Sequence, residues 1–211
     1  MEKIVLIGGG GHCKVIIDII NSTKKYEIVG ICDRVIGSII NGVEVIGNDD
    51  ILPQLYKDGV KNSFICIGGI GNPQKRINIQ NNLKKIGFNL PSVIHSNAIL
   101  GSEVYLGEGT CVMAGAIINA SAKIGELGII NTGAVIEHDC NIENNVHISP
   151  RACLCGGVNV GFNTHIGAGA TVNHLVKIGN NVIVGSGSVV TKDIKDRCTV
   201  VGVPYKIIKE W

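Results

Sequence analysis

The chain has 211 residues and a formal net charge of +2, and only 17% of its residues are charged. That length accommodates one large or two small domains. A balance so near neutrality excludes the basic footprint of a nucleic-acid binder. The apolar runs, such as IVLI near the start and Val15 to Ile20, are too short to span a bilayer, so no membrane insertion is expected. Met1 to Gly8 reads as a strand entering a Gly turn rather than a secretion signal, which points to a cytoplasmic protein. The eight cysteines are scattered, without a CxxC pair or framework spacing, and read as small hydrophobes in the packing.

In chain order, KIVLI (Lys3 to Ile7) is a buried strand, Gly8 to Gly11 a loop and His12 to Ile20 a helix. EIVGIC (Glu27 to Cys32) is a second strand, closed by Asp33. Val43 to Ile46, a helical stretch near Asp50 to Tyr56, a strand FICIGG (Phe64 to Gly69) and a helix around Pro73 to Ile86 follow. Alternating strand and helix implies a parallel sheet with right-handed crossovers, hence a small Rossmann-like βαβ domain over residues 1–92.

A Gly-rich loop between strand and helix presents backbone N–H groups and the positive end of the helix dipole to phosphate. The dinucleotide fingerprint GxGxxG is only partly met, because Cys13 stands where the third glycine belongs. About ninety residues supply one mononucleotide-binding half, so a nucleoside diphosphate carrying something else fits better than NAD. Asp33, at the carboxyl end of the second strand, is placed for a ribose hydroxyl or a base edge. Gly68 to Gly71 form a second loop at the same sheet edge.

From Ile94 an aliphatic residue recurs at every sixth position without interruption through Leu100, Leu106 and onward to Val190. Four residues after each come mostly small or β-branched residues such as Ala116, Ala134 and Ala152, and Gly often follows the aliphatic directly, as at Gly107 and Gly167. A period of six fits neither a helix nor a hairpin ladder, but suits a solenoid whose short strands meet at tight corners. This pattern resembles the hexapeptide-repeat acyltransferases, which implies a left-handed parallel β-helix of triangular section with eighteen residues per coil, here over residues 93–211 with a C-terminal tail.

A domain opening with GGGGHCK (Gly8 to Lys14), followed by the hexads and closing with VGVPYK (Val201 to Lys206), resembles the NeuD/PglD family of bacterial sugar acetyltransferases. The resemblance implies transfer of the acetyl group of acetyl-CoA to the amino group of a nucleotide-linked amino sugar, of the UDP-4-amino-4,6-dideoxyhexose type, in a homotrimer with sites between the prisms. It implies no metal. For the nucleotide sugar it points to Gly9, Gly10, Gly11, His12, Asp33, Arg34, Gly68 and Gly69, and for acetyl-CoA to Gly156, His165, Ala168, Gly185, Ser186, Val203 and Lys206.

Among the six histidines, His138 sits two places after Ile136, at a corner, with Asp139 next door and Glu137 as a competing partner. Attack of an amine on a thioester requires the nucleophile to lose its proton, and a histidine can take it near neutral pH. The family's N-x6-H-[ED]-x7-H arrangement reads here as Asn131, His138, Asp139 and His147, with Asp where Glu is usual. By the same resemblance Asn131 and His147 help place the amine or the acetyl group. An eighteen-residue coil stacks Gly156 over His138 and His165 over His147, and puts His138 and His147 on different sides of one prism. Basic residues gather toward the end, from Lys177 to Lys206 and Lys209, as the phosphates of CoA would require. The rival activities on this scaffold are sialic acid O-acetylation and a zinc carbonic anhydrase needing three converging histidines, and a non-enzymatic nucleotide-sugar sensor is the third alternative.

Overall fold

In a computed structural model, which describes residues 1–71 and 73–211, the chain divides into two compact units: Met1–Gly68 with Asn72–Ser96, and Gly69–Gly71 with Asn97–Trp211. The first holds β1 (Glu2–Ile7), α1 (Gly11–Thr23), β2 (Tyr26–Cys32), β3 (Ile39–Ile40), β4 (Val43–Gly47), a single 3-10 turn at Asp49–Ile51, α2 (Leu52–Lys57), β5 (Asn62–Ile65) and α3 (Pro73–Ile86). The sheet order is β3-β4-β2-β1-β5, parallel except for the β3–β4 edge pair. The short β3 is absent from the hydrophobic pattern because only two residues pair there. β5 ends at Ile65, not Gly69: Cys66 still donates to the Ile7 carbonyl (2.8 Å), and the chain then leaves the sheet.

β1 and α1 share the core. Ile4 to Leu6 are fully buried, and the α1 residues Cys13, Ile16, Ile17, Ile19 and Ile20 recur at helical spacing along its buried side. Two basic groups enter the unit: Arg76 of α3 is 1% exposed. His12 is held neutral, its pKa lowered to about 4 by burial and then by the Arg76 charge.

The second unit is a left-handed parallel β-helix built of two-residue strands. Each strand pairs with the one eighteen residues on, as in Ile117↔Val135 and Val135↔Cys153. One sheet runs through Ile99–Leu100, Ile117–Ile118, Val135–Ile136, Cys153–Leu154, Thr171–Val172 and Val189–Val190; a second runs from Tyr105–Leu106 to Lys177–Ile178. The third passes through Ile129–Ile130, His147–Ile148, His165–Ile166 and Ile183–Val184, and ends in the antiparallel pair Cys198–Val201 and Lys206–Glu210. The aliphatic column points inward, with Val112, Ile118, Ile130 and Ile136 at 0% exposure. Hydroxyls in the small-residue column are satisfied inside: Thr110 donates to the Gly125 carbonyl and accepts from Gly128 N–H, both at 2.9 Å.

Two kinds of glycine close the corners. The residue three places after each aliphatic has positive φ at every sixth position from Glu103 to Gly187, and nine of these fifteen positions are not glycine, Asp139, Asn145 and Asn163 among them. The glycines directly after the aliphatic have ordinary φ but no room: a Cβ on Gly167 would lie 2.5 Å from Ser186 N, and one on Gly107 2.5 Å from Glu126 N. Close approach of successive coils, rather than turn conformation, selects glycine there.

Gly167→Ala should therefore lower stability by about 1–3 kcal/mol, the usual cost of overpacking. Gly169→Asn, at φ +65 with no atom within 4 Å of its Cβ, should change it by less than about 1 kcal/mol, since Asn tolerates that region. Equal losses in a denaturant titration would contradict the close-approach account. His12 gives a second expectation. Between pH 6.5 and about 4 the unfolded chain takes a proton that the folded chain refuses, so stability falls as pH falls through that window, by on the order of 3 kcal/mol. In His12→Gln the melting temperature should depend less steeply on pH across this range.

Candidate active site

In the first unit the glycine loop is shaped by β1 and α1. Gly8 has φ +100 and donates to the Cys32 carbonyl at 2.9 Å, turning the chain off β1. Gly10 caps α1 without a side-chain acceptor. Cys13 N–H bonds back to the Gly10 carbonyl at 3.0 Å, which leaves the Gly11 and His12 N–H groups for a ligand, and the helix dipole favours an anion there. Asp33 ties the loop to β2: its Oδ2 accepts from Gly9 N–H and its Oδ1 from Arg34 N–H, both at 2.5 Å. The Gly9 bond, followed by burial acting the other way and then the Arg34 bond, leaves its carboxyl below the usual range. Gly8, Asp33 and Arg34 border a cavity of about 520 Å³, which also reaches Asn48, Asp50 and Lys75. Sequence patterning did not mark those last three, because they come from a 3-10 turn and from the polar start of α3.

Of the other residues assigned to the nucleotide, Gly10, Gly11 and Gly68 have open space where a side chain would be. Gly69 lies with the second unit: a Cβ there would stand 3.1 Å from His147 Cβ and 3.3 Å from its Nδ1.

In the β-helix, His138 and Asp139 form the two-residue corner after the strand Val135–Ile136. Asp139 takes φ 60, and this bend puts both side chains on the same side, so that His138 Nδ1 lies 2.8 Å from Asp139 Oδ2. A carboxylate only accepts, so Nδ1 carries the proton and Nε2 keeps its lone pair. The Asp139 hydrogen bond raises the His138 pKa, desolvation works against it, and the Asp139 and Glu137 charges add to the rise. Glu137 faces the His138 backbone N–H at 3.4 Å instead of the ring. Gly156 stands directly against the free nitrogen: a Cβ on it would be 2.6 Å from Nε2. Gly156 lacks positive φ, which belongs to Gly157 (φ 69), so what its missing side chain provides is space beside the base.

His147 and His165 lie one coil apart on the third sheet, with ring centroids 5.1 Å apart. Asn131 Nδ2 is 3.2 Å from His147 Nε2, and one coil later Ser149 Oγ is 2.7 Å from His165 Nε2. Burial lowers the His165 pKa and keeps that ring neutral. Ser149 escaped the sequence reading, although it stands eighteen residues after Asn131 and the same stacking would have found it.

Ala168 and Ser186 stack at the corner that leads from the third sheet into the first, one coil apart, whereas Gly156 and His138 occupy the corner at which the chain leaves the first sheet. Gly185 lies against Val201, Val203 is 71% exposed, and Lys206 opens the last strand. One chain thus spreads these residues over two corners that bound the same sheet.

Comparison with known proteins gives this geometry its context. The PglD N-terminal domain family matches residues 3–83, and the bacterial transferase hexapeptide family matches 157–192. The crystal structure of PerB from Caulobacter crescentus, in complex with CoA and GDP-perosamine, is 40% identical with a TM-score of 0.93, over 99% of this chain and 98% of that one. The acetyltransferase domain of PglB from Neisseria gonorrhoeae, in complex with acetyl coenzyme A, is 35% identical with a TM-score of 0.92, over 98% and 99%. A UDP-N-acetylbacillosamine N-acetyltransferase of Bacillus subtilis is 39% identical over 115 residues, which is 54% of this chain and about half (52%) of that protein's length. With identity at this level running the full length of solved relatives, the chain belongs to the NeuD/PglD family of bacterial sugar acetyltransferases.

Proposed function

We propose that this protein transfers the acetyl group of acetyl-CoA to the amino group of a nucleotide-linked amino sugar, with His138 as general base. The observation that carries the reading is the His138–Asp139 pair with Nε2 facing the space beside Gly156. The amine nitrogen attacks the thioester carbonyl carbon while His138 Nε2 takes the amine proton. Asp139 holds Nδ1–H and stabilises the imidazolium that forms, the orienting role familiar from catalytic triads. As the carbon–sulfur bond breaks, the imidazolium returns the proton to the CoA sulfur. The products are an acetamido sugar and free CoA. The amide of Gly156, one coil from the base, is assigned as a donor for the developing oxyanion.

Acetyl-CoA enters as a substrate, and its proposed contacts are Gly156, His165, Ala168, Gly185, Ser186, Val203 and Lys206. The nucleotide sugar enters through Gly9 to His12, Asp33, Arg34, Gly68 and Gly69. Asn131 and His147, with Gly69 beside His147, are read as placing the acceptor amine.

A trimer completes the site in this reading. The outward residues of the first sheet are Ile99, Ile117, Val135, Cys153, Thr171 and Val189, a stripe apolar except at Thr171, while those of the second are Tyr105, Lys123, Asn141, Asn159 and Lys177. A contiguous apolar sheet face suits burial against another copy. The stripe is bounded by the His138 corner and the Ala168–Ser186 corner, so a neighbour docked there would bring together what one chain keeps apart. Among the described residues no helix is long and apolar enough to cross a membrane, and we read the enzyme as cytoplasmic.

His138→Ala should lower kcat by roughly 10²- to 10⁴-fold with CoA affinity nearly unchanged, the range for losing a general base. The raised His138 pKa sets the direction of the pH profile. The base is active when neutral, so activity should climb with pH through a limb above the ordinary histidine value of about 6.5. Asp139→Asn should move that limb to lower pH and reduce the plateau; an unmoved limb would assign it to another group. For the shared site, mixing inactive His138→Ala and His147→Ala chains should restore activity in mixed trimers. Two pure variants and their mixture being equally dead would show that both histidines serve one site from one chain.

A further inference from the structure

We infer that the Asn48–Asp50 end of the first-unit cavity selects a guanine base, so that the nucleotide on the acceptor sugar is GDP rather than UDP or dTDP. This rests on the nucleotide-sugar reading above and deepens it. The cavity of about 520 Å³ runs from the Gly8 loop, over Asp33, to Asn48, Asp49 and Asp50. Its two ends follow the sheet order, since β4, which delivers Asn48, lies two places from β1 with β2 between them. That separation is roughly 10 Å, two strand spacings, and suits a nucleoside laid from phosphate to base edge.

Charge decides which way round the ligand lies. The α1 N-terminus offers uncapped N–H groups, whereas the far end presents two exposed carboxylates on consecutive residues of the 3-10 turn. A diphosphate is repelled by those carboxylates and drawn to the helix end. Asp33 stands between, in the position of the ribose. The base edge then faces Asp49 and Asp50, while Ile67, which stands against Gly8, walls the phosphate end of the cavity.

A carboxylate can only accept hydrogen bonds. Guanine is the common base that presents two adjacent donors, N1–H and the N2 amino group, and so can satisfy both oxygens of one carboxylate. Uracil and thymine present a single N–H flanked by two carbonyl oxygens, which a carboxylate repels. Cytosine and adenine offer an amino group beside a ring nitrogen that is itself an acceptor. The O6 acceptor of guanine, next to N1–H, is served by the cations Arg34 and Lys75 that line the same cavity, as Arg and Lys serve it in nucleic-acid recognition.

Isothermal titration of the full-length protein with GDP, UDP, dTDP and CDP tests this, with CoA binding and the melting temperature as controls. GDP should bind at least about 10-fold tighter than the pyrimidine nucleotides, the low end of the discrimination given by a paired base edge. In the double variant Asp49→Asn/Asp50→Asn that ratio should collapse toward one, through weaker GDP binding, with melting and CoA affinity unchanged. UDP or dTDP binding as tightly as GDP would overturn the guanine assignment while leaving the nucleotide-sugar reading in place. A GDP preference that survives in the double variant would overturn the role of Asp49 and Asp50. Failure of all four nucleotides to bind the parent protein would remove the nucleotide-sugar reading itself.

Discussion

Everything in the larger unit depends on the register between coils. Each two-residue strand is hydrogen-bonded to the strand eighteen residues away, as in His147↔His165 and Asn141↔Asn159. The backbone thus holds residues far apart in sequence at the separation of neighbouring strands, about 4.8 Å. This converts a linear sequence into columns. One column is the aliphatic core, one the small residues under the corners, and one the outward groups that carry chemistry. Because register is fixed by backbone bonds over the whole solenoid, a histidine at a corner needs no long-range contacts of its own to be placed. Rigid placement of this kind lets an exposed side chain serve as a catalytic group, since little ordering remains to be done when substrates arrive.

The same register explains why glycine is distributed as it is. Gly156 is empty for the sake of the ring beside it, Gly167 for the sake of the next coil's backbone, and Gly157 for its positive φ. These are three different constraints on one residue type. In the first unit Gly8 answers a fourth need, letting the chain turn off β1 so that Gly9 can reach Asp33. An alanine tolerated at one such position therefore says nothing about the others.

The hexad run made the solenoid legible because each coil repeats one steric problem, and a period of six has no other common solution. Eighteen-residue stacking likewise made the Gly156–His138 and His147–His165 neighbours readable from the chain. The Asp139 partnership was not decided in advance, since adjacent residues on a straight strand face opposite ways and only the φ of 60 at the corner turns them together. Spacing within one unit also gave no hint that Gly69 lies against His147, because that loop leaves the β5 register after Cys66. The Asn48–Asp50 rim was hidden for a related reason. Short 3-10 turns carry no hydrophobic period, so their polar residues look like any other loop.

The aspartate beside the base, where the family more often has glutamate, can be understood from the corner itself. Position 139 must adopt a left-handed backbone conformation, and aspartate enters that region more readily than most residues. The left-handed turn also swings the short side chain back toward the ring of its own neighbour, so the missing methylene costs no reach: Nδ1 and Oδ2 meet at 2.8 Å. Other corners show that the fold can force less suitable residues into the same conformation, Leu127, Arg151 and Leu175 among them. Aspartate at 139 is thus compatible with both demands made on it, the backbone's for a tolerant residue and the imidazole's for a fixed acceptor. A longer carboxylate would have to fold back on itself to make the same bond, at the cost of side-chain entropy that aspartate does not lose.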